Sequence, residues 1–441
     1  LYICRSPDGL DDILARFKRG PLAVDTETTG LEWFRGDLVG AINLAAGESA
    51  AVCMQDALGP AARYLDDQVK AGREFVFHNA KFDMHFLRET FGLHFPYPVH
   101  DTVAESFVID NRGANAFRWW TKKAHSLKPL ASVYVDHEAV DREKEMMAAI
   151  KARAGKRATK ADWLVLLGTP DEPLFTHYSA FDAWYTLQLH QQFIERIRYW
   201  VQPAARYPSL MSVYERERWM ILAFRDMEER GICASRDFLE QWRNQLAKEL
   251  EVRFVALMKA CKGARLANDI NWNSVPQLSA LLYSARHAGG LGLKGHGTDA
   301  VTMLNLTHPI GTALVQYRET FKQWSSYANS LLSALTPRGT IHPNFKSTGA
   351  ATGRTSCTDP NLQQQTRISG VRKAYHPRKG LQFRFADYET VEMRFAGHVA
   401  NERFLIHGYN RIPNFDPHGA LAEQMFGRMY DPKSQHRKYA K

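Results

Sequence analysis

Gln382-Phe-Arg-Phe-Ala-Asp387-Tyr388-Glu-Thr-Val-Glu392-Met-Arg394 is the stretch on which the reading of this chain turns. Phe383 and Phe385 alternate with Gln382 and Arg384, a period of two that predicts a strand with one buried face. Val391, Phe395 and Val399 then recur at helical spacing, which predicts a helix. Asp387 falls where the strand gives out, and Glu392 falls one turn into the helix. A carboxylate held on rigid backbone at a strand end suits Mg²⁺, which takes few protein oxygens and completes its shell with water and phosphate. The same acids also suit a plain strand–helix junction, where negative charge favours the helix start.

The neighbouring blocks add weight to the metal reading. Upstream runs Thr348-Gly-Ala-Ala-Thr-Gly-Arg354-Thr-Ser-Cys-Thr-Asp-Pro-Asn361-Leu-Gln363, and downstream come Asp416-Pro-His418 and Arg437-Lys-Tyr-Ala-Lys441. In the order and spacing of these blocks the chain resembles the family A DNA polymerases, the group of bacterial DNA polymerase I and its phage relatives. The resemblance implies that Phe385–Arg394 is motif A, with Asp387 bridging two polymerase metals beside the backbone carbonyl of Tyr388. It implies that Arg354 reaches into the minor groove at the primer end, where every correct pair offers an acceptor in a similar place. Asn361 and Gln363 then contact the duplex, Glu392 excludes a ribose 2′-hydroxyl, and Arg394 supports the site. His418, Arg437 and Lys441 match residues that contact the incoming triphosphate, the last two sharing a helix face as a cationic fork. One departure is local: Glu389-Thr-Val stands between Tyr388 and Glu392, where the family more often has Ser-Gln-Ile.

The first half carries three further blocks. In Pro21-Leu-Ala-Val-Asp25-Thr-Glu27-Thr-Thr-Gly30 an apolar strand ends in two acids that point to the same side. Two carboxylates so placed repel unless a divalent cation lies between them. Phe75-Val-Phe-His-Asn-Ala-Lys-Phe-Asp83 reads as a strand followed by a helix with an acid in its early turn, and Tyr178-Ser-Ala-Phe-Asp182 puts two polar groups four apart on one helix face. Each block alone fits an ordinary acid at an element end; together, in this order, they resemble the three motifs of the DnaQ-like 3′–5′ exonucleases, which have a ribonuclease H-like fold. Phosphodiester hydrolysis by two metal ions needs carboxylates that hold the ions about 4 Å apart around the scissile phosphate. Asp25, Glu27, Asp83 and Asp182 supply such a set, and by the resemblance Tyr178 orients the attacking water. The charged stretch 137–173 is either a basic arm along single-stranded DNA or a solvated helical insertion. Trp119 and His125 could stack a base, but aromatic residues beside lysines are common on surfaces.

Between these halves the sequence predicts helices. One lies over 218–230 and stops at Gly231; another starts at Ser235 with Phe238, Trp242, Leu246, Leu250, Phe254 and Met258 on one stripe; others begin near Ser274 and span about 309–335. Their basic outer faces resemble the duplex-gripping thumb of a family A polymerase.

Bulk properties agree with this without deciding it. The 441 residues leave room for several cores, and a net charge of +10 with pI near 9.3 favours an anionic partner, nucleic acid ahead of a membrane. No apolar run approaches the roughly 20 residues that span a bilayer, and the five scattered cysteines form no CxxC pair, as in a reducing compartment. The fold expected is α/β: a ribonuclease H-like 3′–5′ exonuclease domain (1–205), then a partial right hand with a helical thumb (206–335), a palm with motif A (336–400) and the start of the fingers (401–441). The function expected is DNA synthesis from a primer 3′ end with proofreading, using Mg²⁺ or Mn²⁺, two ions per active site. The partners expected are primer–template DNA, deoxynucleoside triphosphates, and a processivity factor or second polymerase fragment, in the cytoplasm and at the nucleoid of a bacterial or phage-infected cell. Because the chain starts at Leu1 and stops within the expected fingers helix, before a second palm aspartate, it reads as a window onto a longer or split enzyme that does not polymerise alone. Two rivals stay open: a 3′–5′ exonuclease whose C-terminal half only binds duplex, and a primer–template binding module.

Overall fold

The computed structural model describes residues 1–110, 125–200, 208–265, 270–350, 352–365, 370–429 and 431. It divides into two compact units, Leu1–Pro377 and Arg378–Lys441, so the segment expected to form the palm is described partly with each.

The first unit begins with β1 (Tyr2–Cys4), α1 (Leu10–Leu14), β2 (Leu22–Thr28), β3 (Val39–Ala46), β4 (Ser49–Met54), α2 (Leu58–Lys70), β5 (Phe75–Phe77) and α3 (Ala80–Phe91). It continues with β6 (His100–Asp101), α4 (Thr102–Ile109), α5 (Leu127–Tyr134), α6 (Ala139–Ala154) and α7 (Glu172–Arg198). The strands form one sheet in the order β1-β4-β3-β2-β5-β6. The β2–β3–β4 part is antiparallel, β5 and β6 continue parallel to β2, and β1 runs parallel to β4. This is the ribonuclease H-like arrangement the motifs imply.

Alternation along β2 assigns its two faces. Leu22 and Val24 join a core with Phe75, Phe77, Phe86 and Leu87, whereas Ala23 faces a second core with Phe175, Ala180 and Ala183 of α7. Asp25 and Glu27 follow Ala23 in register and so point toward α7. The β2–β5 pairing covers Leu22↔Phe75 and Ala23↔Val76, so among the described residues that edge of β2 has no strand partner beyond Ala23.

Further on come α8 (Leu210–Arg230), β7 (Ile232–Ala234), α9 (Arg236–Ala260), α10 (Val275–Tyr283), α11 (Ala300–Leu304), α12 (Ile310–Lys322) and α13 (Ser330–Ala334). Then follow β8 (Thr340–Ile341), β9 (Asn344–Lys346), β10 (Ser356–Thr358) and β11 (Tyr375–His376). The helix expected over 309–335 is one rod from α12 to α13 with a π-helical stretch at Gln323–Asn329. Gly231 ends α8 at φ +59°, and a Cβ there would come within 2.7 Å of the Ile341 carbonyl, so glycine is required where β7 meets β8. A buried cluster joins α4, α7 and α8: Glu105 Oε1 lies 2.7 Å from His190 Nδ1 and accepts the Tyr214 hydroxyl at 2.7 Å.

The apolar stripe expected on α9 holds only for its first half. Trp242 and Leu246 are buried, but Phe254 and Met258 are exposed and Leu257 and Cys261 take the inward positions. Steps of four residues advance about 40° around a helix, so a stripe drawn by fours leaves the buried face after a few turns. On α8 burial departs from hydrophobicity as well: Met227 is exposed, while Arg225 and Glu228 are buried and partnered.

The second unit contains α14 (Val391–Ala400), α15 (Arg403–Arg411) and α16 (Pro417–Phe426). The helix after motif A forms as expected; the strand before it does not. Residues 381–388 carry no strand, Phe385 is 92% exposed and Tyr388 84% exposed. A strand exists through its hydrogen-bonded neighbour, and among the described residues none pairs with this segment.

Candidate nuclease centre

Strand β2 delivers Asp25 and Glu27 to the face covered by α7, and α7 returns Tyr178 and Asp182 to the same place. Oxygens of Asp25, Glu27 and Asp182 all lie within 4.8 Å of one another. Each carboxylate is held. Asn43 Nδ2 donates to Asp25 Oδ2 at 2.8 Å, Ser179 Oγ donates to Glu27 Oε1 at 3.2 Å, and Lys128 Nζ pairs with Asp182.

Asp83 stands beside this trio rather than in it. The Thr26 amide and hydroxyl both donate to Asp83 Oδ1, at 2.9 and 2.7 Å. The amide is available because β5 has already parted from β2 at that point. Asp101 fixes where α3 begins: it accepts from the amides of Asn79 and Ala80 at 3.0 and 2.9 Å and also caps α4 through Val103 at 2.9 Å. Asn79 itself sits at φ +71°, a left-handed conformation that asparagine tolerates.

The electrostatics follow from burial. Burial raises Asp25 to about 6, offset in part by the Asn43 hydrogen bond. Burial and then the charge of Asp25 push Glu27 to about 8. Burial, with Asp25 adding to it, holds Asp83 well above the usual carboxylate range. Lys128 is only 4% exposed, and burial pulls its ammonium down to about 7. Its Nζ lies 4.0 Å from the centroid of the Tyr178 ring, and Lys160 donates to the Tyr178 hydroxyl at 3.0 Å. Carboxylate oxygens this close, at the mouth of a cleft, form a donor set suited to hard divalent cations. A cation would relieve the repulsion that burial otherwise settles with protons.

The cleft has a volume of about 880 Å³. Asp25, Lys128, Lys160, Tyr178 and Asp182 line one side, and residues 344–349, around β9, line the other. The sides are linked by Glu228 of α8, which accepts from the Phe345 amide at 2.6 Å and pairs with Lys81 of α3, and by Lys81 itself, which donates to Asn344 Oδ1 at 3.1 Å and to the Phe345 carbonyl.

Comparison with known proteins matches both halves of the chain. Residues 2–198 match the 3′–5′ exonuclease family, and residues 238–441 match DNA polymerase family A. The chain therefore carries a segment matching the 3′–5′ exonucleases ahead of one matching the family A DNA polymerases. It is 27% identical to DNA polymerase I of Chloroflexus aurantiacus over 96% of the chain and 44% of that protein. It is 27% identical to the DNA polymerase of Escherichia phage T5 over 94% of the chain and 49% of that protein. The chain thus spans about half the length of these curated relatives. In fold it is similar to the polymerase domain of Pol1 from M. smegmatis, solved with DNA primer–template and dNTP, at a TM-score of 0.69, 21% identity, and coverage of 99% of this chain and 70% of that one.

The residues expected to carry the polymerase motifs lie in both units. In the first unit Arg354, Asn361 and Gln363 are exposed; Asn361 Oδ1 accepts from the Gln363 and Gln364 amides at 3.0 and 3.1 Å, and Gln363 donates to Thr355 Oγ1 at 2.9 Å. In the second unit Asp387 and Glu392 are exposed, and the His418 amide donates to Asp416, the cap of α16. Arg394 donates to the Glu389 carbonyl at 3.0 Å and lies over the Tyr409 ring, so it braces the turn into α14. Thr390 opens that helix at φ +48°, a strained conformation for a β-branched residue. Trp119, Arg437 and Lys441 lie outside the described residues. His125 shares a hydrogen bond with Ser106 Oγ at 2.9 Å.

Sequence reasoning missed Lys128, Asn43, Ser179 and Asp101. Ser179, inside the third motif and next to Tyr178, is the one a closer reading could have found. A lysine near a helix start normally reads as solvated, so Lys128 gave no signal.

Proposed function

We propose that the N-terminal domain removes nucleotides from DNA 3′ ends and that the polymerase segment grips the primer–template for deoxynucleotide addition. The convergence of Asp25, Glu27 and Asp182 beside Tyr178 carries this reading. Mg²⁺ or Mn²⁺, two ions per site, would supply a water of lowered pKa and neutralise the leaving 3′-oxygen. Asp25, Glu27, Asp83 and Asp182 would hold those ions, with Asn43 and Ser179 fixing two of the carboxylates. The Tyr178 hydroxyl, buried and hydrogen-bonded by Lys160, keeps its proton and orients the attacking water.

In the polymerase segment the proposed roles are minor-groove contact by Arg354, duplex contact by Asn361 and Gln363, metal bridging by Asp387 with the Tyr388 carbonyl, exclusion of ribonucleotides by Glu392, and triphosphate contact by His418, Arg437 and Lys441. The proposed boundaries are 1–205 for the exonuclease, 206–335 for the thumb, 336–400 for the palm and 401–441 for the start of the fingers. The partners are primer–template DNA and deoxynucleoside triphosphates, with a processivity factor or further polymerase segment, at the nucleoid of a bacterial or phage-infected cell. In the full-length protein Asp387→Ala should stop primer extension and leave end trimming, and Asp25→Ala should do the reverse. Loss of both activities in either variant would contradict separate sites.

A second reading has one observation in its favour. The nuclease carboxylates are gathered and held, whereas Asp387 is exposed on a segment that pairs with no strand among the described residues. This favours a chain that, as it stands, trims 3′ ends and only binds duplex with its C-terminal half.

A further inference from the structure

We propose that Lys128 is a resident cation of the nuclease centre: it holds Asp182 while the site is metal-free and moves to a non-bridging oxygen of the scissile phosphate when Asp182 ligates a divalent ion. This rests on the nuclease reading above and goes beyond it. Buried lysines are rare and need a partner. Lys128 has one at Asp182, and it is wedged against two aromatic rings, its Nζ 4.0 Å from the Tyr178 centroid and 5.2 Å from that of Tyr185. The groups facing it come from every side: Asp25 and Glu27 from β2, Glu143 from α6, Lys160 from the turn after α6, and Asp182 from α7. Lys160 is already engaged by Glu143 and the Tyr178 hydroxyl, so it is the less mobile charge.

Charge counting supports the second position. Four carboxylates balance two divalent ions, which leaves the negative charge of the scissile phosphate, and the charge it gains as water adds, without a counter-charge from that set. Lys128 lines the same cleft as Asp25 and Asp182, on a flexible four-carbon stem, so it can meet that charge. In the observed position the Tyr178 and Tyr185 rings keep water from the ammonium, which strengthens its pair with Asp182, and the move into the cleft exposes it.

A merely structural lysine and a resident cation give opposite signs for metal binding. Calorimetric titration of the chain with Mn²⁺ should show Lys128→Met binding on the order of tenfold more tightly than wild type, because a competing positive charge is gone. The single-turnover excision rate at saturating Mn²⁺ should fall by roughly 10²-fold. Lys128→Arg should return the affinity to the wild-type value and recover part of the rate. Unchanged or weaker Mn²⁺ binding in a folded Lys128→Met chain would overturn the proposal, as would an unchanged rate at saturation. Should Lys128→Met not fold, the wild type decides by amine-reactive footprinting: Lys128 labelled faster in Mn²⁺ than in EDTA supports the exchange, and equal labelling refutes it. Asp182→Asn is the control for the underlying reading. If wild type and Asp182→Asn bind Mn²⁺ alike, the nuclease reading itself fails.

Discussion

Glu27 and Asp25 lie where an ionised carboxylate has little water around it, and both hold their protons to higher pH than in solution, to about 8 and about 6. The folded values lie above the unfolded ones, so in the metal-free chain the folded state binds the extra proton. That contribution to stability is fully present below roughly pH 4.3 and is lost as pH rises through the folded value. In EDTA the melting temperature should therefore fall between pH 5 and pH 8, less steeply in Glu27→Gln, and Mn²⁺ added at pH 8 should restore it. Parallel pH curves for wild type and Glu27→Gln would contradict the burial assigned to this group. The acids themselves were legible because their spacing is geometric: i, i+2 on a strand and i, i+4 on a helix fix a shared face before any tertiary contact exists. The groups that tune them were not. Asn43 comes from a neighbouring strand and Lys128 from a separate helix, and nothing local in either stretch marks its target.

At the scale of elements, the site depends on where β2 is released by β5. Pairing ends at Ala23↔Val76, and the freed amide of Thr26 is what Asp83 accepts. Helix α3 presents Asp83 there because Asp101 holds its first amides and the first turn of α4. Asp101→Ala should leave those buried donors unpaired and cost about 3 kcal/mol in urea unfolding. It should also slow excision through the displaced Asp83, which a rate measured on single-stranded DNA would reveal; unchanged stability would show that water or neighbours replace the cap. Element reading succeeded where a residue pattern has one physical outcome, as at Gly231 after α8 and Ser274 before α10. It failed for 382–387, where the alternation of Phe383 and Phe385 states a preference for a strand but cannot supply the neighbour a strand needs. It failed again along α9, where stepping by four ignored the drift of a 3.6-residue turn.

Across the first unit, the nuclease sheet and the strands that follow the helical region are tied through Glu228. It pairs with Lys81, shares a 2.7 Å hydrogen bond with His85 and accepts the Phe345 amide, so α3, α8 and β9 meet at one buried carboxylate. Removing it leaves the buried Lys81 ammonium without a counter-charge, held only by the neutral Asn344 side chain and Phe345 carbonyl, and Glu228→Ala should destabilise the unit by about 3 kcal/mol. Excision should slow with it, because Asp83 lies between Lys81 and His85 on the same helix. Normal melting of Glu228→Ala would mean that the two sides hold together without this link. The central claim is that two strand-end acids and α7 assemble a metal-dependent nuclease. It is tested most directly by incubating the chain and its Asp25→Ala/Glu27→Ala variant with single-stranded DNA and Mn²⁺. The predicted result is stepwise shortening from the 3′ end by the wild-type chain and none by the variant; an intact substrate with both, or equal digestion by both, would contradict it.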